Sequence, residues 1–175
     1  MAALGACAAL SLAACDGDGG TGAVGLPPGQ FEGEVRGVLD TRLWGDAESG
    51  YWLNPRYHDL IVLTDYVNDV RIQIYESEDQ FREGRWAIED EDRFDSRIVA
   101  FVEDIRTGEA FGSVSGTLNL VDVRNGGIEG SARFTAESDE VPGEFVTVDV
   151  VFRTDYGGSL GFSRAPAPRG AKAPR

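Results

Sequence analysis

The chain has 175 residues, 30 of them acidic and 16 basic, for a net charge of −14. Four of the basic residues, Arg164, Arg169, Lys172 and Arg175, crowd into the last dozen positions, where no acid occurs, and this leaves the remainder at −18. A surface of that sign repels phosphate backbones and anionic headgroups, which argues against a nucleic-acid partner and against membrane attachment through a basic patch. Hydrophobic residues make up 42% of the chain, enough for one core, and the length suits one domain plus tails. After the first segment no apolar run reaches the roughly 18 residues that a membrane-crossing helix requires.

Residues 2–14 form an apolar run of small residues and leucines. Its length fits the hydrophobic region of an export signal. It ends in Leu12-Ala13-Ala14-Cys15, which resembles the bacterial lipobox. The resemblance implies diacylation of the Cys15 thiol and cleavage before it, so residues 1–14 are expected to be removed and Cys15 to carry the lipid. Leu4-Gly5-Ala6-Cys7 is a poorer version with almost no hydrophobic region before it. No Lys or Arg precedes the run, so the in-frame DNA upstream is where a basic start would be sought. With Cys7 removed, the mature chain would hold one cysteine and no disulfide. Attachment through two acyl chains is stable without help from the protein surface, at about 0.8 kcal/mol per buried CH₂. The expected partner is therefore the lipid bilayer, and the expected location is the cell envelope, on the periplasmic or surface face of a bacterial membrane.

Residues 15–30 form the lipidated tether, Gly-rich and closed by Pro27-Pro28. A coil of that length spans roughly 20 Å root-mean-square. Residues 31–162 follow as a β domain. Phe31, Gly33, Val35, Gly37 and Leu39 alternate with polar residues, as do Val70, Ile72 and Ile74, and Val146, Val148, Val150 and Phe152. Leu60-Ile61-Val62-Leu63 and residues 97–102 are short apolar runs. Period two with β-branched and aromatic residues predicts antiparallel strands, and no window carries a convincing amphipathic helix. The predicted fold is all-β, an antiparallel β-sandwich or flattened up-and-down barrel of about eight or nine strands. Residues 163–175 read as a disordered, basic Pro/Ala tail.

The clearest hairpin runs over residues 114–136. A two-residue loop would set Leu118 opposite Arg133 and Leu120 opposite Ser131, mixing the faces. A three-residue loop, Asn125-Gly126-Gly127, sets Leu118 opposite Phe134, Leu120 opposite Ala132, Thr117 opposite Thr135 and Asn119 opposite Arg133. It separates an apolar from a polar face and calls for Gly127 in the left-handed region. Gly116 and Gly130 inside these strands predict close backbone approach.

Here a family resemblance appears. Ser115-Gly116-Thr117-Leu118, Asn125-Gly126, Ile128-Glu129-Gly130 and Phe134-Thr135-Ala136 are similar to a signature of small uncharacterised bacterial lipoprotein domains. Leu43-Trp44-Gly45-Asp46-Ala47 and Gly84-Arg85-Trp86-Ala87-Ile88 fit the same order. The resemblance implies an all-β exported domain and carries over no catalytic residue.

His58 is the only histidine. It forms no nucleophile-elbow motif, and no Cys/His spacing suits zinc. Glu89-Asp90-Glu91-Asp92 with Asp95 offers oxygen ligands but lacks the alternating calcium-loop pattern, so a solvated loop is expected. No metal site, cofactor or catalytic residue is assigned. Trp44, Tyr51, Trp52 and Tyr57 cluster in a short stretch and form the candidate binding surface, for a sugar or a peptide, although core or barrel-mouth packing would use the same residues. The first functional expectation is a non-enzymatic binding or scaffolding module on an envelope lipoprotein. The alternatives are a lipocalin-like carrier of a small apolar ligand and a hydrolase with paired carboxylates.

Overall fold

The computed structural model describes residues 25–51, 59–78, 80–93, 95–124 and 127–156. Cys15, Trp52, Tyr57 and His58 lie outside them, as do the expected signal (1–14), most of the expected tether (15–30) and the expected basic tail (163–175).

The described strands are β1 (Gln30–Gly37), β2 (Thr41–Tyr51), β3 (Asp59–Asp65), β4 (Val70–Glu76), β5 (Gly84–Ile88), β6 (Ile98–Asp104), β7 (Ala110–Arg124), β8 (Gly127–Ser138), β9 (Phe145–Arg153) and the two-residue β10 (Asp155–Tyr156). Eight of them pair antiparallel in the order β1-β9-β8-β7-β6-β4-β3-β2, and β2 pairs back onto β1, closing a barrel. Apart from β5 and β10, each strand neighbours the next in sequence, so the barrel is up-and-down, one of the two architectures the sequence predicts. β5 lies within the β4–β6 connection and pairs with β7 beyond the short β6–β7 ladder. β10 runs parallel to β2, beyond the point where β1 begins.

The alternating residues point inward. Phe31, Val35, Val70, Ile72, Ile74, Val146, Val148, Val150 and Phe152 join one central core with Phe111, Leu118 and Phe134. Phe31, Phe111, Phe134 and Phe152 are each at most 2% accessible, which leaves no water-sized space beside them. An eight-stranded barrel is just wide enough for side chains to fill it. The unbroken run Leu60-Ile61-Val62-Leu63 serves two faces. Ile61 and Leu63 join the central core, while Leu60 and Val62 join Tyr75, Val99 and Phe101 in a second cluster on the outer wall. Tyr75 and Phe101 meet edge-to-face with centroids 5.7 Å apart.

The β7–β8 hairpin corrects the sequence register by two residues. Arg124 pairs with Gly127, so the connection is the two-residue Asn125-Gly126. A bulge at Val121, between Leu120 and Asp122, then shifts the ladder by one. Leu118 faces Ala132, Leu120 faces Gly130, Thr117 faces Arg133 and Asn119 faces Ser131. The faces stay separated because the bulge absorbs the mismatch that a two-residue loop alone would cause. Gly127 does not adopt the left-handed conformation, since the bulge has taken over the work expected of it.

Gly116 and Gly130 meet the expectation of close approach. A Cβ at Gly116 would overlap the Cβ of Phe134 and the Arg133 carbonyl, and one at Gly130 would overlap the Asn119 carbonyl. A Cβ at Gly127 would meet nothing closer than 3.5 Å. Urea denaturation should therefore find Gly116→Ala destabilised by about 1–3 kcal/mol. Gly127→Ala should be unchanged or more stable by up to about 1 kcal/mol. Equal losses at both positions would contradict this register.

Candidate functional site

Up-and-down winding divides the connections between two ends. Chain entry at Gln30, the β7–β8 turn and the start of the β4–β6 connection mark one end. The β1–β2, β3–β4, β6–β7 and β8–β9 turns mark the other. Eight large hydrophobic residues among those described are exposed. Val114 and Val121 are the bulge residues of β7. The remaining six, Val38, Trp44, Tyr66, Val67, Val141 and Phe145, lie at or near the turn end.

These six follow neighbouring strands around the rim. The Val38 amide donates to the Phe145 carbonyl, and the Glu144 amide donates to the Val141 carbonyl, which gathers Val38, Val141 and Phe145. Asp65 gathers the others. Its Oδ1 accepts from the amides of Val67 and Asn68 at 2.8 and 3.0 Å, and its Oδ2 accepts from the Trp44 amide at 3.2 Å and Asn68 Nδ2 at 2.8 Å. Asn68 Nδ2 also donates to the Arg42 carbonyl. Burial alone would raise the Asp65 pKa, but the Asn68 side chain and the Asn68, Trp44 and Val67 amides together hold it below the ordinary value. One buried carboxylate thus fixes the β3–β4 turn to β2 and holds Tyr66 and Val67 outward beside Trp44.

Between the two apolar groups lies an open groove of about 510 Å³ lined by Glu34, Arg36, Asp40, Thr41 and Arg42. Glu34 faces Arg42 across β1–β2 and Asp149 across β1–β9, and Asp149 in turn accepts from Arg133. The outer wall here is a charged ladder, unlike the apolar wall of β3, β4 and β6.

Of the predicted surface, Trp44 is outward and 61% exposed, on the face opposite buried Leu43. Tyr51 ends β2, at the entry end, far along the strand from Trp44. The Trp44 amide is bonded to Asp65, which sets Trp44 beside the β3–β4 turn that carries Tyr66 and Val67. The missed residues carried one signal: Tyr66 and Val67 are apolar inside a turn bracketed by Asp65, Asn68 and Asp69, where polar residues are the norm.

The acidic run is spread among different tasks. Glu89 Oε2 accepts from the Arg97 amide, and Asp90 Oδ1 accepts from the Asp92 amide. Glu91 lies against Gly112, where a side chain would collide with its carboxyl, and hydrogen-bonds Asp139. Burial, followed by the charges of Asp139, Asp92 and Asp90, pushes the Glu91 pKa to about 7. Burial, followed by the charge of Asp92, raises the Asp139 pKa as well, so the pair favours holding a proton between the two carboxyl groups. Neither described groove touches this pair. Among the described residues no group of His, Cys, Asp and Glu could hold a metal ion.

No family model, curated protein or solved structure matches the chain.

Two measurements check these assignments. Unfolded Glu91 ionises near 4.5 and folded Glu91 near 7, so the folded state holds the extra proton between them. Its contribution makes stability fall as pH rises through that window. Glu91→Gln should flatten the dependence and raise the melting temperature at pH 8 by several degrees, whereas an unchanged pH slope would dissolve the pair. Asp65→Ala, which orphans four donors, should cost about 2–4 kcal/mol by chemical denaturation. A loss under about 0.5 kcal/mol, the level of an ordinary surface change, would remove Asp65 from its central position.

Proposed function

We propose that the chain is a membrane-anchored envelope lipoprotein whose β-barrel is a non-enzymatic binding or scaffolding module. Diacylated Cys15 holds it to the bilayer, and the Gly-rich tether lets it stand off. The observation that carries the binding role is the filled barrel combined with the apolar rim. With Phe31, Phe111, Phe134 and Phe152 filling the interior, the outer wall is the surface left for recognition. There Tyr66 and Val67 stand exposed on a turn braced by Asp65, beside exposed Trp44 on β2. Holding such residues out of the core has a hydrophobic cost, and exposed apolar patches mark interaction sites.

The lipid anchor is supported by the Leu12-Ala13-Ala14-Cys15 motif and by the acidic domain, which has no electrostatic means of holding an anionic surface. The closed up-and-down barrel is also compatible with a lipocalin-like carrier. A ligand inside would have to displace the packed aromatic side chains, so this reading stands second.

Expression of the full chain in its host with labelled palmitate tests the anchor. Label should enter the wild type and be absent from Cys15→Ala, which should move to the soluble fraction. An unlabelled wild type, with Cys15→Ala still membrane-bound, would defeat the lipoprotein reading. Native mass spectrometry of the same preparation should give the mass of the lipidated chain alone, and a co-purifying small apolar molecule would favour the carrier.

A further inference from the structure

We infer that the rim strip formed by Val38, Phe145 and Val141 on one side of the Arg36/Arg42 groove, and Trp44, Tyr66 and Val67 on the other, is the docking face for a protein partner. That partner presents apolar side chains flanked by Lys and Arg. The inference deepens the proposed binding role by naming the surface and the chemistry of its occupant. It uses the lipid-anchored reading only for orientation.

Composition argues for a protein. Trp, Tyr and Arg are the residues that carry binding energy at protein interfaces, and Trp44, Tyr66, Arg36 and Arg42 stand together here. A sugar would use Trp44 and Tyr66 but would gain nothing from exposed Val38, Val67, Val141 and Phe145, which need an apolar counterpart. The braced turn means the backbone that carries Tyr66 and Val67 is already held, so binding has only their side chains to restrict.

Charge argues for a basic partner. Glu32 stands opposite Trp44, Glu34 and Asp40 line the groove, Asp69 closes the Tyr66 turn, and Glu140 and Glu144 flank Val141. Against these the wall sets Arg42, Arg36, which is engaged by Glu34 at 2.8 Å, and Arg133, which is engaged by Asp149. A second copy would bring the same acidic rim and a net charge of −14, so self-association is opposed. Anionic lipid is repelled for the same reason.

Chain direction sets the orientation. β1 begins at Gln30 at the entry end and reaches the rim only at Gly37. A tether anchored at Cys15 therefore joins the barrel at the end opposite the strip. The docking face points away from the bilayer, toward components of the envelope beyond the anchoring membrane.

The test places photoreactive p-benzoylphenylalanine in the full chain, in its host, in place of Tyr66 or of Phe145, with Val121 on β7 as the control position. Both rim positions should label the same protein, through a peptide with Lys or Arg beside apolar residues, and the control should not. Binding of that purified protein to the full chain should weaken by about tenfold or more on Trp44→Ala. It should also weaken as salt is raised, and stay unchanged on Val121→Ala. Labelling of lipid or of a second copy, no labelling, or an affinity indifferent to Trp44→Ala would overturn the inference. Cys15→Ala separates the two readings. If it stays membrane-bound the anchor fails while the Trp44 result stands. If it is released and still binds the partner, the anchor and the surface are both upheld.

Discussion

The structure depends on β1 pairing along both edges. Its residues Gln30–Val35 take up β2, and Gln30–Gly37 take up β9, so the meander closes and no long edge remains. Closure fixes the interior width, and every interior choice follows from it. Phe134 and Phe152 need room that Gly116 and Gly130 leave on the facing strand and at the adjoining position. Where β1 begins, the wall is completed by other bonds. Thr154 exchanges hydrogen bonds with Ile128 and meets Ser49 at 2.8 Å, both of its polar groups satisfied inside the wall. β10 then lies along β2.

Closure also makes the two ends unlike each other. At the turn end one device recurs at three hairpins. The last residue of the strand, Asp65, Asp104 or Ser138, accepts from the backbone amides two and three residues ahead. Side chains that satisfy turn amides in this way keep short connections ordered. Two of these turns carry exposed apolar residues, Tyr66 and Val67 after Asp65 and Val141 after Ser138. At the entry end the long β4–β6 connection is held differently, by the buried carboxylate of Glu76 on Arg97 at 2.9 Å and by Arg97 over the Trp86 ring. Phe81 from the same connection reaches the central core. The entry end carries this folded connection, and the turn end presents the exposed residues.

The strands were legible because one rule, alternation, decides both secondary structure and facing. Val146, Val148, Val150 and Phe152 are all buried, as their spacing required, and Trp44 is outward because Leu43 is inward. The hairpin shows where this rule stops. Alternation correctly demanded that Leu118 and Leu120 share a face. It could not count the residues in the turn, because a bulge at Val121 restores the same parity with a different partner. The grouping of the rim residues was invisible for a related reason. Val38, Tyr66 and Phe145 are far apart in sequence, and only the strand order brings their hairpin ends to one side. The Glu91–Asp139 pair likewise depends on a loop folding back over Gly112.

By itself the sequence determined the all-β class, the inward face of each regularly alternating strand, the acidic surface and the motif at Cys15. These follow from local spacing and composition, which any fold of the chain must respect. Tertiary structure alone decided the closure through β1, the register of β7 on β8 and the filled interior. It also decided that the turn carrying Tyr66 and Val67 lies beside Trp44. Those depend on distances between segments remote in sequence, set when the barrel wall closes and the core side chains compete for one limited volume.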